Sequence, residues 1–196
     1  MTQADPTISN SEIQTCKTCR RQWMLAYYYR MGHEEGKFVP TGPMHIGIAL
    51  HEALEAKYGH NEDPIRVLLD IYNYHEKQWE ETESAVEAIK KDRELAHIML
   101  LGYLQWIEEE GVDSQIEITG AEEQASTQLT NGYTLVGKLD VRGVNTQNRF
   151  KFFLDHKTVG DLVTPTKGMD INEQFPTYGL LDRLTKKEDE HCDGGY

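Results

Sequence analysis

Apolar positions recur at helical spacing through the first half of the chain and give way to strand-like alternation in the second. A helix is predicted from about Ser11 to Met31, and its aromatic stretch from Trp23 to Tyr29 is expected to pack into a core and not to serve as a base-stacking platform. A second helical run, Gly47-Ile48-Ala49-Leu50-His51-Glu52-Ala53-Leu54-Glu55, follows Pro40-Thr41-Gly42-Pro43 and stops at Gly59, so breakers bound it on both sides. From about Pro64 to Glu110 two or more helices are expected, with Leu95, Ile98, Met99, Tyr103 and Trp106 at helical spacing. The period then changes. Ile116-Glu117-Ile118 and a stretch around Glu122 to Leu129 read as strands, Asn131-Gly132 as a hairpin turn, and Gly137-Lys138-Leu139-Asp140-Val141-Arg142 and Phe153-Leu154-Asp155-His156-Lys157 as two further strands. Gly143 to Asn148 has the composition of a turn that lays those two antiparallel. A final helix carries Gln174 and runs out through Lys186-Lys187-Glu188-Asp189-Glu190 into Gly194-Gly195-Tyr196.

At 196 residues, with no linker-like shift in composition, the chain can bury a sizeable core as one domain. It has no apolar stretch of membrane-spanning length, and Met1-Thr2-Gln3-Ala4-Asp5 lacks the basic and apolar parts of a secretory signal. Three cysteines, an odd number, argue against a disulfide framework, and a cytoplasmic location is expected. A net charge of −13 opposes polyanion binding in general. Its distribution changes that picture. Between residues 138 and 167 six basic side chains (Lys138, Arg142, Arg149, Lys151, Lys157, Lys167) face three acids (Asp140, Asp155, Asp161). The acid excess falls mostly on the helices, at Glu76, Glu80, Glu81, Glu83, Glu87, Glu94 and Glu108 to Glu110, where solvated faces are expected.

Residues two apart on a strand share a face, so Asp155 and Lys157 project together, and the antiparallel pairing allows Asp140 to meet them at one edge. Two converging acids and an amine suit divalent-metal hydrolysis of a phosphodiester, because Mg²⁺ takes one or two carboxylates plus substrate phosphate oxygens. His156, between Asp155 and Lys157, should face away, leaving its backbone carbonyl more able than its ring to reach a metal. Glu122 and Glu123 point to opposite faces, and the sequence does not choose which turns inward. A zinc-protease reading of His51-Glu52 fails because Glu55 stands where H-E-x-x-H needs histidine. Cys16 and Cys19 form a C-x-x-C, and Cys192 follows His191, a set too small and too dispersed to favour structural zinc or an iron–sulfur cluster.

The ordered set of Asp140 and Asp155-His156-Lys157 resembles the signature of the PD-(D/E)XK nuclease superfamily, with aspartate where glutamate is more usual as the second acid. The His51 helix looks like the histidine-bearing helix of RecB-type nucleases, and Gln174-Phe175-Pro176-Thr177-Tyr178 resembles their Q-x-x-x-Y motif. Pro176 fits there only if the helix has just begun, for example from Asn172. Ser11-Glu12-Ile13 leading to Cys19-Arg20-Arg21-Gln22-Trp23 resembles the N-terminal segment of RecB-like exonucleases, including the CRISPR-associated and phage-encoded branches. Together the motifs cover about residues 11 to 181.

The resemblance implies an α/β, restriction-endonuclease-like core, a mixed central sheet flanked by helices, with a helical insertion at about 60–112 and the catalytic strands and Q-x-x-x-Y helix at about 115–181. It implies Mg²⁺- or Mn²⁺-dependent cleavage of DNA from its ends in the cytoplasm of a bacterial or phage-infected cell. His51, Asp140, Asp155 and His156 would be the metal ligands, Lys157 would position the attacking water, and Gln174, Tyr178, Arg20 and Arg21 would contact substrate. A homo-oligomer or a recombination or repair partner would supply positive surface. Rival readings are structure-specific or restriction-like endonuclease action, and a non-catalytic nucleic-acid-binding subunit. Some relatives hold an iron–sulfur cluster on one N-terminal and three C-terminal cysteines, of which only Cys192 stands on the C-terminal side here, so no cluster is expected. The family pattern continues with a strand beyond the Gln174 helix, which the sequence does not display, so a truncated chain or a missing final strand is expected.

Overall fold

The computed structural model describes residues 6–31, 38–159 and 173–195. Among these residues five strands form one mixed sheet: β1 (Thr7–Ser9), β2 (Ile116–Gln128), β3 (Thr134–Asn145), β4 (Lys151–Leu154) and β5 (Gly194–Gly195). β2 and β3 are the predicted hairpin, antiparallel over almost their whole length, and Gly132 takes the positive φ of 83° that its turn requires. The other edge of β3 is shared. β1 pairs parallel with Thr134, Leu135 and Val136, whereas β4 pairs antiparallel with Val141 to Val144. Gly137 to Asp140 therefore lie in a fork where neither strand covers them.

Among the described residues six helices surround this sheet: α1 (Asn10–Thr18), α2 (Arg20–Trp23), α3 (Pro43–His60), α4 (Pro64–Gln78), α5 (Glu83–Glu109) and α6 (Gln174–Thr185). Local chemistry sets their ends. Ser9 caps α1 by accepting the Glu12 N–H at 3.2 Å, Asp63 caps α4 at Ile65, and Pro43 and Pro64 open α3 and α4, where a missing N–H costs nothing. α3 stops at Asn61, which adopts the left-handed conformation. α3, α4 and α5 share one apolar core of Leu50, Ala53, Leu68, Tyr72, Ile89 and Leu100. A second core, with Leu135, Leu139, Phe153, Tyr178 and Leu181, glues α6 to the sheet. Gly137 permits that approach, since a Cβ there would sit 2.5 Å from Leu181 Cδ1. α1 is tied to the start of α6, with Lys17 ion-paired to Glu173 and the Gln14 amide donating to the same carboxylate at 2.8 Å.

Five expectations need correction. The helix predicted over Ser11 to Met31 breaks at Cys19, whose extended backbone (φ −153°, ψ 103°) lets its Sγ cap α2, and a π-helical turn follows over Met24–Tyr28. Its aromatic stretch is not core: Tyr27, Tyr28 and Tyr29 are exposed. On α5 the buried stripe is Ala85, Ile89, Ala96, Leu100 and Ile107, while Leu95, Ile98 and Trp106 face outward. The strand beyond the last helix, expected to be missing, is present as β5, paired parallel with Phe152 and Phe153 of β4. Glu80, Glu81, Glu83, Glu87, Glu94 and Glu108 to Glu110 are solvated as expected, but Glu76 is half-buried against Arg93 at 2.6 Å. Asp161, Lys167 and the suggested helix start at Asn172 lie outside the described residues; α6 is described from Gln174, which puts Pro176 in its first turn.

Candidate metal and phosphodiester site

The fork in β3 opens into a cavity of about 720 Å³ between α3, the sheet and the start of α6. Asp140 comes from β3, His51 from α3 and Glu122 from β2, and one donor atom of each lies within 4.8 Å of the others. His51 Nδ1 is 3.4 Å from Asp140 Oδ2 and 4.0 Å from Glu122 Oε1. Glu122 stands opposite Asp140, between the pairs Ala121–Val141 and Glu123–Leu139. A bulge at Thr119 shifts the register upstream, and Glu122 has a φ of 51°, which an L-residue adopts only where its surroundings hold it. Glu123 turns the other way, to Arg142 at 3.5 Å and Lys186 at 3.1 Å.

Asp155 follows the end of β4 and lies at the wall of the same cavity, outside that three-residue cluster. Its side chain is 2% exposed. Lys157 Nζ is 2.8 Å from Oδ2, and the Gln174 amide donates to Oδ1 at 2.8 Å. The same amide donates to the Tyr178 hydroxyl at 2.8 Å, so the i, i+4 pair on α6 braces Asp155 directly. The two acids are joined through the backbone: the His156 N–H donates to Asp140 Oδ2 at 2.7 Å. The His156 ring lies beside the cluster, with Nδ1 3.9 Å from Asp140 Oδ2 and the ring edge-on to His51, and it is held from behind by stacking on Tyr58 and by the Tyr103 hydroxyl 3.2 Å from Nε2, so it does not turn as far from the site as strand alternation predicts.

A profile of the PD-(D/E)XK nuclease superfamily matches residues 7–195 of this chain. The chain belongs to that superfamily. No curated protein matches it. PD-(D/E)XK nucleases use divalent metals, and an imidazole nitrogen with two carboxylate oxygens is a donor set that such an ion accepts. Among the described residues no helix is long and apolar enough to cross a membrane.

The electrostatics of the site favour a cation beside Asp140. Burial pushes the Asp140 carboxyl up to about 6, the His156 N–H and His51 pulling it partly back while Asp155 and Glu122 add to the rise. Burial, followed by the His51 charge, lowers His156 to about 4, so its ring is neutral at pH 7 and the 3.9 Å approach of Nδ1 to Asp140 is not an ion pair. Between the ordinary carboxyl value of 3.8 and about 6 the folded chain holds a proton on Asp140 that the unfolded chain has released. The metal-free fold therefore loses stability as pH rises through that window, while a cation, competing with the proton, binds better. Mn²⁺ affinity measured by calorimetry is expected to be weaker at about pH 5 than at about pH 7.5 and to level off above about pH 6.5. A flat affinity across that range would count against Asp140 as a ligand.

Other predicted site residues of this PD-(D/E)XK chain are placed elsewhere. Arg20 and Arg21 are exposed on α2 and do not line the cavity. Cys16 is half-buried, Cys19 caps α2, and Cys192 packs against the sheet core with Sγ 3.5 Å from Arg142. Two features escaped the sequence reading. Lys138 is on the cavity face and is ion-paired with Glu122, a placement that its i, i+2 relation to Asp140 could have revealed. Tyr58 and Tyr103, whose hydroxyls are 2.8 Å apart, hold the His156 ring, and no local signal links α3 and α5 to that histidine.

Proposed function

We propose that the chain is a Mg²⁺- or Mn²⁺-dependent deoxyribonuclease of the RecB-like kind that degrades DNA from its ends. The observation that carries this reading is the convergence of His51, Glu122 and Asp140 beside the Asp155–Lys157 pair on one open cavity. The order of His51, Asp140, Asp155-x-Lys157 and Gln174-x-x-x-Tyr178 supports the RecB-like branch. His51, Glu122 and Asp140 would hold the ion, with Asp155 and the His156 carbonyl as further ligands once substrate is in place. A bound divalent ion lowers the pKa of its water and offsets charge on the phosphate in the transition state.

The remaining work falls to the protein. Lys157, fixed by Asp155, orients the attacking water and offsets the charge that builds on the phosphate oxygens. Gln174 and Tyr178 keep the Asp155 carboxylate aimed at the cavity. A neighbouring cavity of about 690 Å³, sharing Ser11, Lys138, Gln174 and Tyr178 with the first, gives the strand a path past α1. α4 and α5 act as a helical insertion that anchors α3, and through Tyr103 they fix the His156 segment. Arg20 and Arg21 remain candidate phosphate contacts outside the cavity.

The test is digestion of linear and closed circular DNA of one sequence in Mn²⁺. Linear DNA should fall to short products while the circle survives, and rising salt should slow the reaction because phosphate contacts release counterions. Cutting of the circle at a comparable rate would establish an endonuclease instead.

A further inference from the structure

Lys138 precedes Asp140 by two residues on β3, so both side chains reach the same cavity. Its Nζ is ion-paired with Glu122 Oε2 and lies 3.9 Å from Glu55 Oε2 on α3. The other oxygen of Glu122, Oε1, faces His51. Glu122 is therefore divided: one oxygen serves the donor cluster and the other serves an ammonium. The Glu122 carboxylate is 7% exposed, so its two oxygens are committed to these partners and not to water.

Two-metal phosphodiesterases place their ions about 3.5–4 Å apart on a carboxylate that both share. In this chain the bridging carboxylate would be Glu122, and a second ion would have to bind its Oε2 with help from Glu55. That position is taken by the Lys138 ammonium. Asp155, a further ligand of the first ion in the proposed site, is held between Lys157 and Gln174. We infer that Lys138 stands where a second divalent ion would bind, so that the site holds one divalent ion and the lysine serves as a fixed monovalent charge beside the phosphate. This inference rests on the reading of His51, Glu122 and Asp140 as metal ligands.

The experiment is to count bound Mn²⁺ by calorimetry and to detect ion pairs by electron paramagnetic resonance, in the full chain without DNA. Wild type should hold one magnetically isolated Mn²⁺. Lys138→Met, which removes the charge from a side chain that is 50% exposed, should gain a second ion close enough to broaden the spectrum of the first. Lys138→Arg, which keeps the charge, should stay at one. A wild type holding a close pair, or a Lys138→Met chain that stays at one ion, would overturn the inference. His51→Ala separates the two levels of the argument. If it still binds the first ion normally, the ligand reading itself fails; if it loses the ion while Lys138→Met stays at one, only the role of Lys138 fails.

Discussion

Asp140→Asn is expected to abolish metal-dependent cleavage, with a fall of roughly a thousandfold or more, on the scale of losing one principal source of transition-state stabilisation. Asparagine keeps the shape of the side chain and an oxygen to accept the His156 N–H, which Asp140 now accepts at 2.7 Å. What it loses is the charge that faces His51 at 3.4 Å and completes the donor cluster. The fold should not suffer. Burial disfavours the Asp140 carboxylate, holding its pKa at about 6, so at neutral pH without metal the neutral amide removes a cost and the variant should be at least as stable as wild type. Urea unfolding in chelator beside a cleavage assay in Mn²⁺ reads both effects. Cleavage within tenfold of wild type would remove Asp140 from the site, and a large loss of stability would make it a packing residue.

The helices and strands that carry these side chains were largely legible because their signals are local. Pro43 opens α3, which runs through Gly59 to the left-handed Asn61, Asn131-Gly132 closes the hairpin, and alternation sets Lys138 and Asp140 on one face. What escaped depends on contacts distant in sequence. The choice of Glu122 over Glu123 turns on the hairpin register, unbroken from Gln128–Thr134 to Gly120–Arg142, which sets Glu122 opposite Asp140, and on a positive φ at Glu122 that leaves no mark in residue type. β5 carries no strand propensity because it consists of glycines. A Cβ at Gly195 would collide with the Phe153 ring and come within 2.9 Å of Phe175, so packing demands the residue that hides the strand. On α5 the stripe is built on Ala85 and Ala96 as much as on Ile89 and Leu100, and such small residues register weakly beside the outward Leu95, Ile98 and Trp106. The break at Cys19 likewise follows from a sulfur cap that no common capping rule anticipates.

Metal binding and water positioning should separate in two variants. Lys157→Met is expected to bind Mn²⁺ within a few-fold of wild type and yet lose turnover by roughly 10²–10⁴, the range associated with a positioned proton-handling group. Lys157 touches Asp155 Oδ2 and none of the three clustered donors, so the ion should not notice its loss directly. The fold should notice it. Asp155 is 2% exposed and keeps the Gln174 amide on Oδ1, but its Oδ2 loses the Lys157 cation in a buried position, at a cost of about 1–3 kcal/mol. His51→Ala should act in the opposite sense: it removes one of three donors and an imidazole whose side chain is 31% exposed, weakening Mn²⁺ by more than about tenfold with little effect on stability. Calorimetric titration, urea unfolding and single-turnover cleavage at saturating Mn²⁺ give the three readouts. If Lys157→Met loses the ion while His51→Ala binds it normally, the ligand belongs on the Asp155 side of the cavity and the roles of the two residues must be exchanged.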